Sequence, residues 1–179
     1  MHGQDVHTTL EAPLVSSSEP DYPDLRQGLL ESAERLARAG HDVVIVDIDT
    51  DAFNRLEPDF PGQAIRADGT DEDVLRRVGT EDADWFYALT EGDNRNAFAA
   101  QLAAETFGVD NVVAKINDPV RAEAYTALGL STICRTRLLV DSLAVHAGLP
   151  TDPGAAGVRV AEGHHEHHDD SAPLRHTER

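Results

Sequence analysis

The run His41-Asp42-Val43-Val44-Ile45-Val46-Asp47 decides the fold that we expect for this chain. Its central residues are β-branched, and a continuous run of this kind is typical of a strand buried on both faces, as in a parallel sheet. The run ends in an acid, Asp47. Because ligands of open parallel sheets sit beyond the carboxyl ends of the strands, we expect Asp47 to face a binding crevice.

Two later segments end in the same way. Ile65-Arg66-Ala67-Asp68 is a short run that ends in an acid, and Trp85-Phe86-Tyr87-Ala88-Leu89-Thr90 ends in a hydroxyl. The polar segment Asp93-Asn94-Arg95-Asn96 follows the second of them. Three such endings within residues 41–96 suggest a sheet edge that reads a nucleotide.

Helices and strands alternate along the rest of the chain. The patterns predict helices at about 25–39, 71–77, 94–107, 119–128 and 136–147, a helical turn at about 51–56, and strands at about 43–46, 63–67, 83–89, 111–116 and 131–134. This order implies right-handed crossovers. The expected fold class is therefore α/β, a doubly wound parallel sheet of the Rossmann-like kind.

The chain divides into one domain and two tails. We expect residues 1–23 to be disordered, residues 24–148 to form the Rossmann-like domain, and residues 149–179, rich in His and acids, to be disordered. A dinucleotide fold normally starts with a strand and a glycine-rich turn, but Gly28 is the sole Gly between Gly3 and Gly40. The first strand and the glycine turn are therefore expected to be missing or altered.

Composition excludes several classes of function. The 33 acids against 15 Lys and Arg give a formal charge of −18, which argues against nucleic-acid binding because that needs a cationic surface. The single cysteine, Cys134, excludes a disulfide framework and fits a reducing compartment. No apolar run reaches the roughly 20 residues of a membrane span, and no signal peptide is evident. We expect a cytoplasmic protein.

Five segments in order resemble one known family. They are Ala39-Gly40-His41-Asp42-Val43-Val44-Ile45-Val46-Asp47, Ala67-Asp68-Gly69-Thr70-Asp71, Leu89-Thr90 with Asp93-Asn94-Arg95-Asn96, Ala114-Lys115-Ile116-Asn117-Asp118-Pro119, and Leu128-Gly129-Leu130. From about Leu36 to Ala144 the chain resembles the N-terminal domain of the RCK or TrkA-N family. The resemblance fails before Leu36, where the family has a strand and G-x-G-R-x-G. Divergence, or replacement through a shifted reading frame or a wrong start, would explain that failure.

The resemblance implies a regulatory role without catalysis. Family members bind NAD, ADP or ATP and regulate potassium uptake systems and channels. We therefore expect a subunit that binds NAD (or ADP/ATP), gates a membrane potassium transporter or channel, and forms a homo-oligomer at the inner face of the membrane without inserting into it. One alternative is an interaction or oligomerisation subunit with a non-functional pocket. A Rossmann-type oxidoreductase is a further alternative, although no catalytic set of residues is evident.

The resemblance also implies which residues would hold the nucleotide. They are Asp47 and Asp49 at the ribose, Asp68 and Gly69 at the adenine, Thr90, Asp93 and Asn96 on the far side of the crevice, and Lys115 at the phosphates. Each has a plainer alternative. Asp47 would otherwise be a solvated strand end and Lys115 a surface lysine, and the remaining acids and Asn96 would cap neighbouring helices.

No catalytic or metal site is expected. His41 lies in a turn and Cys134 has no His near it in sequence, so both fit structural positions. The cluster His164-His165-Glu166-His167-His168-Asp169-Asp170 carries metal-ligand chemistry. A tail without fixed geometry predicts adventitious metal binding only.

Overall fold

A mixed sheet with helices on both faces forms the body of the molecule. The computed structural model describes residues 9–14, 23–150 and 158–159, with side chains described over residues 28–150. The strands lie in the order β3-β2-β1-β4-β5-β6-β7. The first six run parallel, and β7 is antiparallel to β6. This is the doubly wound arrangement expected from the sequence.

The bounds of the elements follow the predicted alternation. The strands are β1 (Thr9–Leu14), β2 (Asp42–Asp47), β3 (Gln63–Arg66), β4 (Trp85–Ala88), β5 (Asn111–Lys115), β6 (Thr132–Ile133) and β7 (Val158–Arg159). The α-helices are α1 (Pro23–Arg38), α2 (Glu72–Arg77), α3 (Asp93–Gln101), α4 (Pro119–Ala127) and α5 (Arg135–His146). Short 3-10 helices span Thr50–Arg55 and Thr80–Asp82.

Strand β2 is buried on both faces, as its continuous apolar run predicts. Val43 and Ile45 pack with Leu30 and Ala33 of α1 on one face of the sheet. Val44 and Val46 join the larger cluster on the other face, which α2, α3 and α4 cover. Because side chains alternate along a strand, the four residues feed both layers of the core.

The first strand is present, which corrects the expectation that it is missing and that residues 1–23 are wholly disordered. Strand β1 occupies the centre of the sheet, in parallel register with β2 and β4. Its register against β4 shifts between Glu11 and Leu14. Pro13 lies inside that interval and has no N–H to donate, so an irregular ladder is the physical consequence. Residues 1–8 and 15–22 lie outside the described residues.

The Ala-rich helix ends earlier than predicted. Helix α3 stops at Gln101 and continues as a π-helical turn, Leu102–Thr106, in which Phe107 N donates to Leu102 O at 3.3 Å. The predicted helix at 94–107 is therefore two kinds of helix in series. Gly108 then takes φ of +72°, a conformation that ends the segment as the sequence indicates.

The expected tail is partly structured. Val158 and Arg159 form β7, which pairs with Ile133 and Thr132 of β6, so the prediction of disorder from residue 149 onward is wrong for these two residues. Residues 151–157 and 160–179 lie outside the described residues. Within the part of the chain that is described, no helix combines the length and apolar character needed to cross a bilayer.

Candidate functional site

Two acids lie where β2 ends. Asp47 is 0% exposed, and its Oδ1 accepts a hydrogen bond from Asp49 N at 2.8 Å. The solvated strand-end alternative for Asp47 is therefore wrong. Asp49 is the N-cap of the following 3-10 helix and accepts from Asp51 N at 3.0 Å, which confirms the capping alternative for Asp49. Because β2 lies beside the central strand, the buried Asp47 stands at the place where such sheets bind the ribose of a nucleotide.

The end of β3 lies directly beside Asp47. Ala67 N donates to Asp47 O at 3.0 Å, so the following Asp68 is held next to the end of β2. Asp68 Oδ1 accepts from Thr70 N at 3.0 Å and from Thr70 Oγ1 at 2.7 Å. The backbone N–H of Thr70 is the main reason that the pKa of Asp68 lies below its usual value. Asp71, not Asp68, caps α2.

This tight turn leaves Asp68 exposed while Gly69 is buried. The carboxylate thus keeps an exposed surface for a further donor, and Gly69 presents only backbone to its surroundings. Both properties fit the adenine contact that the resemblance implies for these two residues, which stays a prediction.

Thr90 and Asn96 bind each other at the end of β4. Asn96 Oδ1 accepts from Thr90 N at 2.7 Å and from Thr90 Oγ1 at 2.6 Å. Asn96 Nδ2 donates to Thr90 O at 2.8 Å and to Lys115 O at 2.7 Å. Asn96 is 0% exposed, and these bonds use its whole carboxamide to join the ends of β4 and β5. Its role in the structure is to position the two strand ends, and its contact with a nucleotide stays a prediction.

Asp93 joins α3 to the loop that follows β5. Its Oδ1 accepts from Asn117 N at 2.8 Å, and its Oδ2 lies 3.5 Å from a guanidinium nitrogen of Arg121. The N-cap of α3 is Gly92, which makes no side-chain capping bond. The capping alternative for Asp93 and Asn96 is therefore wrong, since both side chains reach across to other elements instead.

Lys115 is buried at the end of β5. It is 4% exposed, so the surface-lysine alternative is wrong, and its Nζ lies 2.9 Å from Glu91 Oε1. Burial lowers the pKa of Lys115, and the bond to Glu91 opposes that shift. Glu91 is not among the site residues expected from the sequence. Its position directly after Thr90 is the available signal, but its pairing with a residue 24 positions away is not visible in sequence.

The connection between β1 and α1, where a dinucleotide fold normally has a glycine-rich turn, contains no glycine. Residues 15–22 connect β1 to α1, lie outside the described residues, and contain no Gly but two acids, Glu19 and Asp21. Gly28 lies inside α1, where an added Cβ would meet nothing within 4 Å. It is a helical glycine and not part of a turn. Close backbone approach to a pyrophosphate normally requires Gly in this connection.

The predicted residues thus form two groups on either side of β1. Asp47, Asp49, Asp68 and Gly69 lie at the ends of β2 and β3, whereas Thr90, Asp93, Asn96 and Lys115 are linked through hydrogen bonds at the ends of β4 and β5. Strand order reverses at β1, which is the switch point where doubly wound sheets bind ligands. Among the described residues no cluster of His, Cys, Asp or Glu is arranged to hold a metal ion. The cluster at 164–170 lies outside that range.

The sheet order defines a Rossmann-like α/β domain. More particularly, the chain belongs to the TrkA-N domain family, whose model matches residues 30–136.

Curated relatives carry one name. The chain is 41% identical over 139 residues to the Trk system potassium uptake protein TrkA of Streptomyces coelicolor, covering 74% of this chain and 61% of that protein. It is 37% identical over 93 residues to the TrkA protein of Halomonas elongata, covering 52% of this chain and 20% of the relative. The chain therefore spans less than two thirds of the length of the relatives that it matches.

Solved structures share the fold. The TrkA-N domain of the inner membrane protein ybaL from Escherichia coli aligns with TM-score 0.60 and 13% identity, over 80% of this chain and 98% of that one. The Kef C-terminal domain of Shewanella denitrificans in an AMP-bound form gives TM-score 0.57 and 18% identity, over 75% and 78%. GsuK bound to ADP gives 0.54 and 22%, over 80% and 38%. At these identities the likeness establishes the fold.

Proposed function

We propose that this chain is a regulatory unit of a potassium uptake system that senses an adenine nucleotide and has no catalytic activity of its own. The observation that carries the proposal is the buried Asp47 at the end of β2, with Asp68 beside it at the end of β3. A carboxylate at the first position accepts from ribose hydroxyls, and one at the second position accepts from an adenine amino group. The name shared by the curated relatives supports potassium uptake as the process.

The ligand is an adenine nucleotide, and the resemblance names NAD and ADP/ATP as candidates within that class. Similar folds were solved with AMP and with ADP, which supports the class of ligand. In this proposal Asp47, Asp68 and Gly69 hold the nucleoside. Asp49, Thr90, Asp93, Asn96 and Lys115 complete the ligand set as direct contacts or as residues that position the crevice.

The partners are a membrane potassium transporter or channel and further copies of this chain. Helix α5 supports association with further copies of this chain, because none of its side chains is fully buried. Leu139, Val140 and Leu143 are 63%, 54% and 60% exposed on this helix. Contiguous exposed apolar side chains of this kind mark surfaces that other proteins cover. Binding to the transporter would place the chain at the inner face of the membrane.

A second candidate function is an interaction subunit without a working pocket. The sequence of residues 15–22, which has no Gly and two acids, favours this alternative. Glycines in this connection normally let backbone N–H groups approach the pyrophosphate. Oligomerisation through α5 would then be the function that remains. Nucleotide binding separates the two candidates.

The test is a thermal melt of the purified chain with and without adenosine, AMP, ADP, ATP, NAD⁺ and NADH at millimolar concentration. A ligand that binds only the folded state stabilises it by about 2.7 kcal/mol at a hundred times its Kd. We expect a raised midpoint with at least one of these ligands. No shift with any of them would refute nucleotide sensing and favour the interaction subunit.

The matched variants are Asp47→Asn and Asp110→Asn. Asp47→Asn keeps the shape of the side chain but removes its charge, so we expect about tenfold weaker binding or more, because hydrogen bonds to charged groups are worth about 1.5–3 kcal/mol. Asp110 is exposed and directly precedes β5, at the opposite edge of the sheet. Asp110→Asn should therefore leave the shift unchanged.

A further inference from the structure

The ion pair between Lys115 and Glu91 has unequal members. The side chain of Lys115 is 5% exposed and that of Glu91 is 31% exposed, so Glu91 is the member that faces solvent. Glu91 directly follows Thr90 at the end of β4, the strand next to β1 on the side away from β2. The Glu91 carboxylate therefore lies near the switch point, where it contacts the ammonium group of Lys115 and is partly open to solvent.

The charge of Lys115 is already compensated within the chain. Burial destabilises its charged form, and the Glu91 carboxylate is the main group that offsets this cost. The positive charge of Arg135 adds to the cost. The pair is neutral as it stands, so an anionic ligand that reached Lys115 would have to replace the carboxylate and not merely join it.

The backbone around Glu91 is fixed by hydrogen bonds on both sides. Thr90 N donates to Asn96 Oδ1 at 2.7 Å, and Asn96 N donates to Gly92 O at 2.9 Å. Asn117 Nδ2 also lies 3.4 Å from Glu91 O. The backbone that carries Glu91 is therefore held at several points. Because the Glu91 carboxylate contacts Lys115, a phosphate that approached Lys115 would meet this carboxylate at short range and be repelled by it.

We propose that Glu91 is a specificity-determining residue that keeps Lys115 from terminal phosphates and so selects adenine ligands of low phosphate charge, adenosine and AMP ahead of ADP and ATP. This inference rests on the proposed nucleotide site. It assigns to Lys115 a role in closing the phosphate end of that site, with the nucleoside end held by Asp47 and Asp68.

The experiment measures Kd for adenosine, AMP, ADP and ATP by isothermal titration calorimetry at constant ionic strength, without Mg²⁺. For the unaltered chain we expect affinity to fall from adenosine to ATP by tenfold or more. Glu91→Gln keeps a hydrogen-bond acceptor beside Lys115 but removes the repulsion. We expect this variant to bind ADP and ATP at least tenfold more tightly than before, with adenosine changed less than twofold.

Two further variants separate local from general charge effects. Glu105→Gln removes one charge from an exposed residue of the π-helical turn and should leave the ligand order unchanged. The double variant Glu91→Gln with Lys115→Met should lose the gain for ATP, because the gain depends on the freed ammonium group. If Glu91→Gln alone is poorly folded, the order of affinities in the unaltered chain still tests the inference.

The outcomes are distinct. ATP binding as tight as adenosine binding in the unaltered chain would overturn the role of Glu91 while leaving the nucleotide site intact. An equal gain in Glu105→Gln would overturn it too, since bulk charge would then be the cause. Failure of all four ligands, and of NAD⁺ and NADH, to bind both the unaltered chain and Glu91→Gln would refute the nucleotide site itself.

Discussion

Asn96 of α3 donates a hydrogen bond to the backbone oxygen of Lys115 at 2.7 Å, while the same carboxamide binds Thr90 through its other atoms. One buried side chain thus joins the ends of β4 and β5 and orients two residues of the candidate site. Because every polar atom of the group has a partner, its removal would leave several buried backbone groups without one.

The first prediction concerns stability at this junction. Asn96→Ala should lower the free energy of unfolding by about 2–4 kcal/mol, since it leaves two carbonyl oxygens and one N–H unsatisfied. Asn96→Asp should be similarly harmful, because it places acceptor oxygens against the carbonyls of Thr90 and Lys115. Chemical denaturation measures both. Asn54→Ala, at an exposed position, is the control, and a loss for Asn96→Ala as small as its own would contradict the prediction.

The second prediction concerns the pH dependence caused by Lys115. Its pKa is lowered in the folded state, so between that value and the unfolded value near 10.5 the unfolded chain binds more protons. Stability from this group therefore rises with pH in that window, with a slope of at most about 1.4 kcal/mol per pH unit. Unfolding free energies measured at a series of pH values below 10.5 should show this rise relative to Lys115→Met.

The partly buried Tyr87 has the opposite effect on stability at alkaline pH. Burial raises the pKa of Tyr87, so the folded state retains its proton longer and stability falls with rising pH. The unaltered chain and Lys115→Met both contain Tyr87, so the contribution of Tyr87 cancels in the difference between their free energies of unfolding. A difference that stays flat across the window would show that Lys115 has an ordinary pKa.

The third prediction concerns the carboxyl group of Asp68. NMR titration should find its pKa below the ordinary value, because Thr70 donates two hydrogen bonds to the ionised form. Thr70→Val removes only the hydroxyl donor. The pKa should therefore rise part of the way, since the backbone N–H is the larger cause and remains in place. A complete return to the ordinary value would contradict this order of causes.

The fourth prediction contrasts two glycines. A Cβ at Gly62 would lie 2.6 Å from Val43 O and 2.5 Å from the Phe60 ring, so Gly62→Ala should destabilise the fold by about 1–3 kcal/mol. Gly28→Ala, in α1 with open space around it, should stabilise by about 0.5–1 kcal/mol through helix propensity. Thermal melts of the two variants test the pair. Equal effects of the same sign would refute the packing argument.

The fifth prediction concerns self-association through α5. Leu143→Glu places a charge among exposed apolar residues and should reduce the mass measured by sedimentation, because the proposed oligomer would bury that side chain. Stability of the monomer should change little, since Leu143 is 60% exposed. Gln101→Glu on α3 is the charge control. An unchanged mass in Leu143→Glu would exclude this face of α5 from the assembly.

The sequence predicted those parts of the fold that short patterns encode. The β-branched run ending at Asp47 became a strand buried on both faces, and Asp118 with Pro119 marked the start of α4. Strand β1 was missed because Glu11 and Pro13 interrupt its apolar character, and only pairing on both sides with β2 and β4 stabilises it as a strand. Local sequence does not contain that pairing.

The position of the candidate residues at strand ends was predicted, but the contacts of their side chains were not. Asp47, Asp68 and Lys115 lie at strand ends as expected from their order in the chain. Their surroundings depend on contacts between distant residues, such as Asn96 with Lys115 and Glu91 with Lys115, which no periodicity reveals.

The central position of β1 sets the order in which the molecule can be completed during synthesis. Its partner β2 emerges from the ribosome soon after it, but β4 is translated only after the whole segment through α2. Until Trp85–Ala88 has emerged, one side of β1 has no partner strand. The partly synthesised unit of β1, α1, β2 and β3 therefore exposes unpaired backbone N–H and C=O groups along β1. Non-local pairing of this kind makes folding slow, and this unpaired edge is the point at which chaperones would be most useful to this chain.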